Sequence, residues 1–96
     1  MLAKLTNREI IADNTLTTTF TLNETVDFLP GQYVVVALID PPYHDDKGSE
    51  RFFSINNPPS KNREITITTR LSESAFKKSL NEIPLETEVD LRHCEQ

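Results

Sequence analysis

Arg51-Phe52-Phe53-Ser54-Ile55-Asn56-Asn57-Pro58 is the segment of this chain whose residue types best suit chemistry. Along a strand, Arg51 and Phe53 point to one face. An aromatic ring beside a guanidinium suits a flat ring system that carries a phosphate. The ring can stack, and the guanidinium can hold phosphate oxygens through two parallel hydrogen bonds. Ser54 points to the opposite face of a regular strand. It reaches the same ligand only where the strand bends or ends, which the approaching Pro58-Pro59 favours. Read alone, the string also fits an edge arginine, a core phenylalanine and a satisfied serine.

A second segment, Thr68-Thr69-Arg70-Leu71-Ser72-Glu73-Ser74-Ala75-Phe76, runs from a strand into the start of a helix. The first turn of a helix presents unpaired N–H groups and the positive end of its dipole, which favours anions. Ser74 adds a hydroxyl there. The plainer role of Ser72 or Ser74 is a helix cap, and that of Arg70 a solvated strand residue. A third segment, Phe28-Leu29-Pro30-Gly31-Gln32-Tyr33, holds no reactive group and reads as a Pro-Gly turn that launches a buried strand.

The elements that must position these groups are short. Residues 16–22 alternate Leu16, Thr18, Phe20 and Leu22 against Thr17, Thr19 and Thr21, a period of two rich in β-branched residues. Residues 33–39 form a continuous apolar run, as in a strand covered on both sides. Residues 51–56 form a further strand. Residues 64–71 alternate through Ile65, Ile67, Thr69 and Leu71, and residues 87–92 through Val89 and Leu91. A weaker strand covers residues 2–11. Residues 74–81 read as one helix of about two turns, with Phe76, Leu80 and Ile83 at helical spacing and Pro84 barring its continuation. Six strands and one helix predict a single all-β domain over residues 1–96. An antiparallel Greek-key barrel plugged by the helix is the first choice, because closure removes exposed edges. A β-sandwich is the second.

Composition narrows the function. Ten Lys and Arg stand against fifteen Asp and Glu, a net charge of −5. An acidic surface repels phosphate backbones, so nucleic acid is a poor partner and any anionic ligand needs its own cationic pocket. One cysteine, Cys94, excludes an intrachain disulfide. No apolar run approaches the roughly 20 residues that span a bilayer. The polar Thr6-Asn7-Arg8-Glu9 argues against a signal peptide. A cytoplasmic location is expected. His44-Asp45-Asp46 and His93-Cys94 lack the spacing of a zinc or calcium site, and Asp45-Asp46-Lys47-Gly48 reads as a polar hairpin tip.

Taken together, the three segments resemble the FAD-binding domain of the ferredoxin–NADP reductase family. The family's Phe-x-Pro-Gly-Gln-Tyr/Phe turn is matched by residues 28–33, and its Arg-x-Tyr/Phe-Ser strand by residues 51–54. Its Ser/Asn-Pro turn is matched by Asn57-Pro58, and its strand leading to a serine at a helix start by residues 65–74. Order and spacing agree over nearly the whole chain. The resemblance implies a six-stranded antiparallel barrel holding a flavin, most often FAD, with FMN as the alternative. It implies that Arg51 binds the pyrophosphate, that Phe53 lies against the isoalloxazine and that Ser54 sits near its N5. Ile67 and Thr69 would line the flavin's approach, and Ser74 with the helix start would complete the phosphate site. No side chain need act as acid or base.

Three departures qualify the resemblance. Phe53 replaces a tyrosine common in the family. Ser72 or Glu73 stands where many members have glycine, and an inward Glu73 would repel a pyrophosphate. No Gly-rich phosphate loop is present, since the glycines are Gly31 and Gly48 alone. The nicotinamide cofactor, NADH or NADPH, therefore requires a missing domain or a separate subunit, and the chain reads as a fragment, a truncated product or one component of a split enzyme. Two other functions compete: an oligonucleotide-binding-like barrel, which the charge disfavours, and a flavin barrel that has lost its cofactor and docks onto another protein. Phe20, Phe28 and Tyr33 are expected in the core.

Overall fold

The computed structural model describes residues 1–26, 31–56 and 63–94. The alternating run of Thr and apolar residues forms β2 (Thr15–Leu22), whose Leu16, Thr18, Phe20 and Leu22 are buried. It pairs antiparallel with β1 (Leu2–Ala12) and with β5 (Glu64–Arg70). The other strands are β3 (Tyr33–Leu38), β4 (Glu50–Ser54) and β6 (Glu88–Cys94). The order across the sheet is β4-β3-β6-β1-β2-β5, and every pairing is antiparallel. β6 inserts between β3 and β1, so the last strand joins the two hairpins.

This is the six-stranded antiparallel architecture expected, with one difference: the barrel is not closed. β4 and β5 are the two free edges of the sheet. Among the described residues, hydrogen bonds tie the two edges together beyond the end of β4, where the Asn56 N–H donates to the Thr66 carbonyl at 3.0 Å and Asn56 Nδ2 donates to Thr68 Oγ1 at 2.7 Å. Arg51 and Phe53 lie on the β4 edge.

β1 reads weakly because a bulge interrupts it. Leu5 faces Phe20, but Asn7 faces Thr19 and Arg8 faces Thr18, so Thr6 is the extra residue. A bulge shifts the side-chain parity by one. Thr6 stays outside, where its hydroxyl meets Thr21 Oγ1 at 2.8 Å. Arg8 turns inward and donates through Nη1 to the carbonyls of Leu80 (3.3 Å) and Ile83. Those carbonyls belong to the last turn of the helix, which cannot satisfy them itself.

The helix α1 (Ala75–Glu82) is capped by Ser74, whose Oγ accepts from the Lys77 N–H at 3.3 Å. It ends at Ile83, before Pro84. Its Phe76 and Leu80 enter the core with Leu5, Leu16, Phe20, Val34, Val36, Ile65, Ile67, Val89 and Leu91. Each large apolar side chain so buried stabilises the fold by roughly 1.5–3 kcal/mol. The helix is too short to persist without this packing.

β3 is buried at Val34, Val35 and Val36, but only its inner face is fully covered, against the expectation of a strand covered on both sides. Val35 lies on the outer face between its register partners Phe52 and Arg92. Tyr33 shares that outer face and is 38% exposed. It is a surface residue, not a core residue, because it lies one residue out of phase with the inward-facing Val34 and Val36. Phe28-Leu29-Pro30 and Asn57-Pro58 lie outside the described residues. Gly31 is described. It adopts a φ of 88°, a left-handed value that glycine tolerates without strain. The Gly31 N–H donates to the Ile55 carbonyl, and the Ile55 N–H to the Gln32 carbonyl, so this turn abuts the end of β4.

Candidate functional site

Register decides which side chains meet. Val36 opposes Arg51 and Val34 opposes Phe53, so both β4 residues face the interior with the buried valines. There they meet the first turn of α1. The Phe53 and Phe76 ring centroids are 5.8 Å apart at 32°. The Arg51 guanidinium carbon sits 5.3 Å from the Phe76 ring centroid. Arg51, Phe53 and the start of α1 therefore converge at the open edge of the barrel.

The hydrogen bonds of Arg51 are one-sided. Its Nη1 donates to the carbonyls of Lys47 (3.1 Å), Gly48 (3.3 Å) and Glu50 (2.7 Å). Its Nη2 is buried and has no partner among the described residues. A guanidinium offers five donors in a rigid fork, and a buried donor left unpaired is unfavourable by about 1–3 kcal/mol. The chemistry of that vacant arm calls for an anionic or carbonyl acceptor.

The helix start is held by two groups. Ser74 Oγ caps Lys77, as above, and Asp45 Oδ2 accepts from the Ala75 N–H at 3.1 Å. Asp45 Oδ1 also accepts from the Lys47 N–H at 3.0 Å. These two N–H bonds, first Ala75 and then Lys47, hold the Asp45 carboxyl below the usual range, and the nearby Arg51 charge adds to the effect. The first turn of α1 contains no acidic residue of its own. Asp45, in the β3–β4 connection, supplies the negative charge that the helix dipole favours.

The rest of that connection lies along the helix. Tyr43 donates its N–H to Ser79 Oγ (3.2 Å), and Ser79 Oγ donates to the Tyr43 carbonyl (3.4 Å). The Tyr43 hydroxyl donates to Glu82 Oε1 at 2.9 Å. That bond, with the Glu82 charge, raises the phenol's pKa above 10.0. Lys78 stands 5.8 Å from the Tyr43 ring centroid. An open depression of about 330 Å³ runs beside this contact, lined by His44, Asp45, Glu73, Ala75 and Lys78 among others.

The other residues expected in the site are placed as follows. Ser54 is exposed on the outer face opposite Tyr33, so it is not on the face of Arg51 and Phe53. Ile67 is closed in the core at no exposure, and Thr69 is buried on the same inner face of β5. Glu73 points to solvent at 97% exposure and pairs with Lys78 at 3.6 Å, so it does not confront the helix start. Sequence reasoning missed Asp45. The hairpin tip is real, since the Gly48 N–H donates to the Asp45 carbonyl, but its first acid caps a helix thirty residues away.

No family model and no curated protein matches the chain. Solved structures do. The chain is similar to Amycolatopsis cytochrome P450 reductase, with a TM-score of 0.78 and 18% identity over 98% of this chain and 27% of that one. It is similar to phthalate dioxygenase reductase, described as a modular structure for electron transfer from pyridine nucleotides, with a TM-score of 0.72 and 16% identity over 95% of this chain and 28% of that one. It is also similar to the flavohemoglobin of Malassezia yamatoensis with bound FAD and heme, with a TM-score of 0.71 and 14% identity over 99% and 24%. The fold is that of the flavin-binding barrel of ferredoxin–NADP reductase-type proteins. The chain spans about a quarter of the length of each of these three proteins.

Proposed function

We propose that this chain is the flavin-binding module of an NAD(P)H-dependent electron-transfer reductase, with FAD as its cofactor. One observation supports this above the rest. Arg51 lies beside the start of α1 with a buried, unfilled Nη2, and a diphosphate oxygen is the acceptor that such a fork suits. The fold of electron-transfer reductases provides the setting.

In this reading Arg51 holds the diphosphate, and Ser74 with the first-turn N–H groups of α1 completes the anion seat. Phe53, backed by Phe76, borders the isoalloxazine. Ser54, on the outer face of the same strand, reaches N5 only if the end of β4 turns on binding, and Ile67 and Thr69 form the wall behind. A bound flavin would supply the electron-transfer chemistry. The chain's own residues would bind, orient and shield it. The sequence holds no Gly-x-Gly-x-x-Gly loop, so a separate domain or subunit would bind NADH or NADPH.

Titrating FAD and FMN against the purified chain tests this. A saturable change in flavin fluorescence at micromolar protein is the expected result, with FAD tighter than FMN. A chain that perturbs neither flavin overturns it. One observation favours a second reading, a docking barrel without a cofactor: Phe52, 68% exposed, and Tyr33 share the outer face of the β4–β3 pair.

A further inference from the structure

Two of the groups that would take a diphosphate, the Ala75 N–H and Arg51 Nη1, are already engaged by one loop. Asp45 gives its carboxylate to the Ala75 N–H. Lys47 and Gly48 give their carbonyls to Arg51 Nη1. The second arm of the guanidinium is shut away from solvent with no acceptor among the described residues. An intramolecular carboxylate thus sits where an anion would, and the same stretch of backbone ties down the cation that would meet it.

The loop is not held evenly. Its first half is fixed to α1 through Tyr43, by two bonds with the buried Ser79 and one with Glu82. Its far end rejoins the sheet where the Leu38 N–H donates to the Ser49 carbonyl. Between these anchors, residues 44–48 are exposed. Their contacts to the rest of the protein are polar, and Gly48 at a φ of 81° provides a joint. A segment so held, with little buried apolar surface, belongs to the low-stability end of a fold.

The geometry points to a strap that closes the cofactor's diphosphate seat: residues 44–48 lift when FAD binds, Asp45 leaves the α1 N terminus, and Arg51 exchanges loop carbonyls for phosphate oxygens. This rests on the flavin reading above and adds its regulation. The two anions, carboxylate and diphosphate, repel one another and share donors, so they exclude each other. Asp45 then sets the affinity of the site for phosphate-bearing ligands and leaves the binding of a neutral ring system unchanged.

The test compares wild type with Asp45→Asn, using FAD, ADP and riboflavin as probes. Asparagine keeps one acceptor oxygen for the Ala75 N–H, so the variant loses the charge and one of the two N–H bonds that the carboxylate accepts. Asp45→Ala serves as a second variant, with circular dichroism as the check on folding. The expected result is FAD and ADP binding at least about fivefold tighter in Asp45→Asn, the low end of an ordinary coupling between competing sites. Riboflavin binding stays unchanged. Amide exchange at Lys47 and Gly48 accelerates when ADP binds the wild type. If Arg51→Ala weakens FAD binding while Asp45→Asn binds FAD and ADP like the wild type, and exchange in the loop does not respond, the strap is wrong and the flavin site stands. If no variant binds FAD, the flavin site and the strap fall together.

Discussion

The two sides of this barrel treat their polar atoms differently. On the outer face of β1, β2 and β5, threonine hydroxyls meet one another across the strands: Thr6 with Thr21 at 2.8 Å, Thr17 with Thr68 at 3.2 Å and Thr19 with Thr66 at 3.2 Å. Asn56 joins the row at Thr68. At the β4 edge, by contrast, a guanidinium arm has no acceptor among the described residues and a distant carboxylate caps the helix. Both regions are polar and both border an open sheet. The difference is closure. Polar groups that satisfy each other need nothing more and act as cross-strand ties. Charged groups left half-paired beside a helix start need a partner, and that need marks the ligand side.

The strongest way to break this contrast is to remove the ring that the site groups share. Phe76→Ala is expected to cost about 3–5 kcal/mol of stability, as for other buried aromatics. Phe20→Ala, equally buried under the threonine face, is expected to cost a similar amount. Denaturant unfolding checks both. Under conditions where both variants remain folded, only Phe76→Ala should also weaken flavin binding, because Phe53 and Arg51 rest on that ring. Equal flavin affinities in the two variants would erase the distinction between the halves.

Arg8→Ala comes next. It strips the last turn of α1 of a charged donor and should cost about 1.5–3 kcal/mol, the range for hydrogen bonds to charged groups. Chevron or equilibrium unfolding reads this, and the helix C terminus should show faster amide exchange than its N terminus. A smaller effect of opposite sign is expected at Thr18, which is buried between its register partners Arg8 and Ile67 with its hydroxyl unpaired among the described residues. Thr18→Val keeps the shape and removes the unsatisfied group, so stability should rise by about 1 kcal/mol. A fall would show that the hydroxyl has a role on the core side.

The smallest effect is on pH dependence. The pKa of Asp45 is lowered from 3.8 in the folded chain, so its cap is present above that value and is lost as pH falls through the depressed one. The pKa of Tyr43 is raised from 10.0, so its bond to Glu82 is present below that value and is lost as pH rises through the raised one. Protection of the β3–β4 loop should therefore weaken at the acid and alkaline extremes, as amide exchange at Lys47 can show.

Much of the fold was legible in local pattern. β2 and β5 announce themselves by strict alternation, and Ser74 with Pro84 brackets α1 to within a residue. β1 was faint because the bulge at Thr6 breaks the alternation that a sequence reading counts. Tyr33 was misplaced to the core because an apolar run conceals the two-residue period that sends it outward. In the site, the shared face of Arg51 and Phe53 followed from strand parity alone. Asp45 did not, because its partner lies across the fold. The cue was indirect: a helix start without an acid of its own, and an acidic loop elsewhere with no assigned purpose.

Flavin affinity of Arg51→Ala, measured against both FAD and riboflavin, tests the central claim most directly. The account predicts that FAD binding weakens by about 2–4 kcal/mol, as for truncating one partner of a buried charged pair, while riboflavin, which carries no phosphate, binds as before and the barrel stays folded. Unchanged FAD affinity in the folded variant would contradict it.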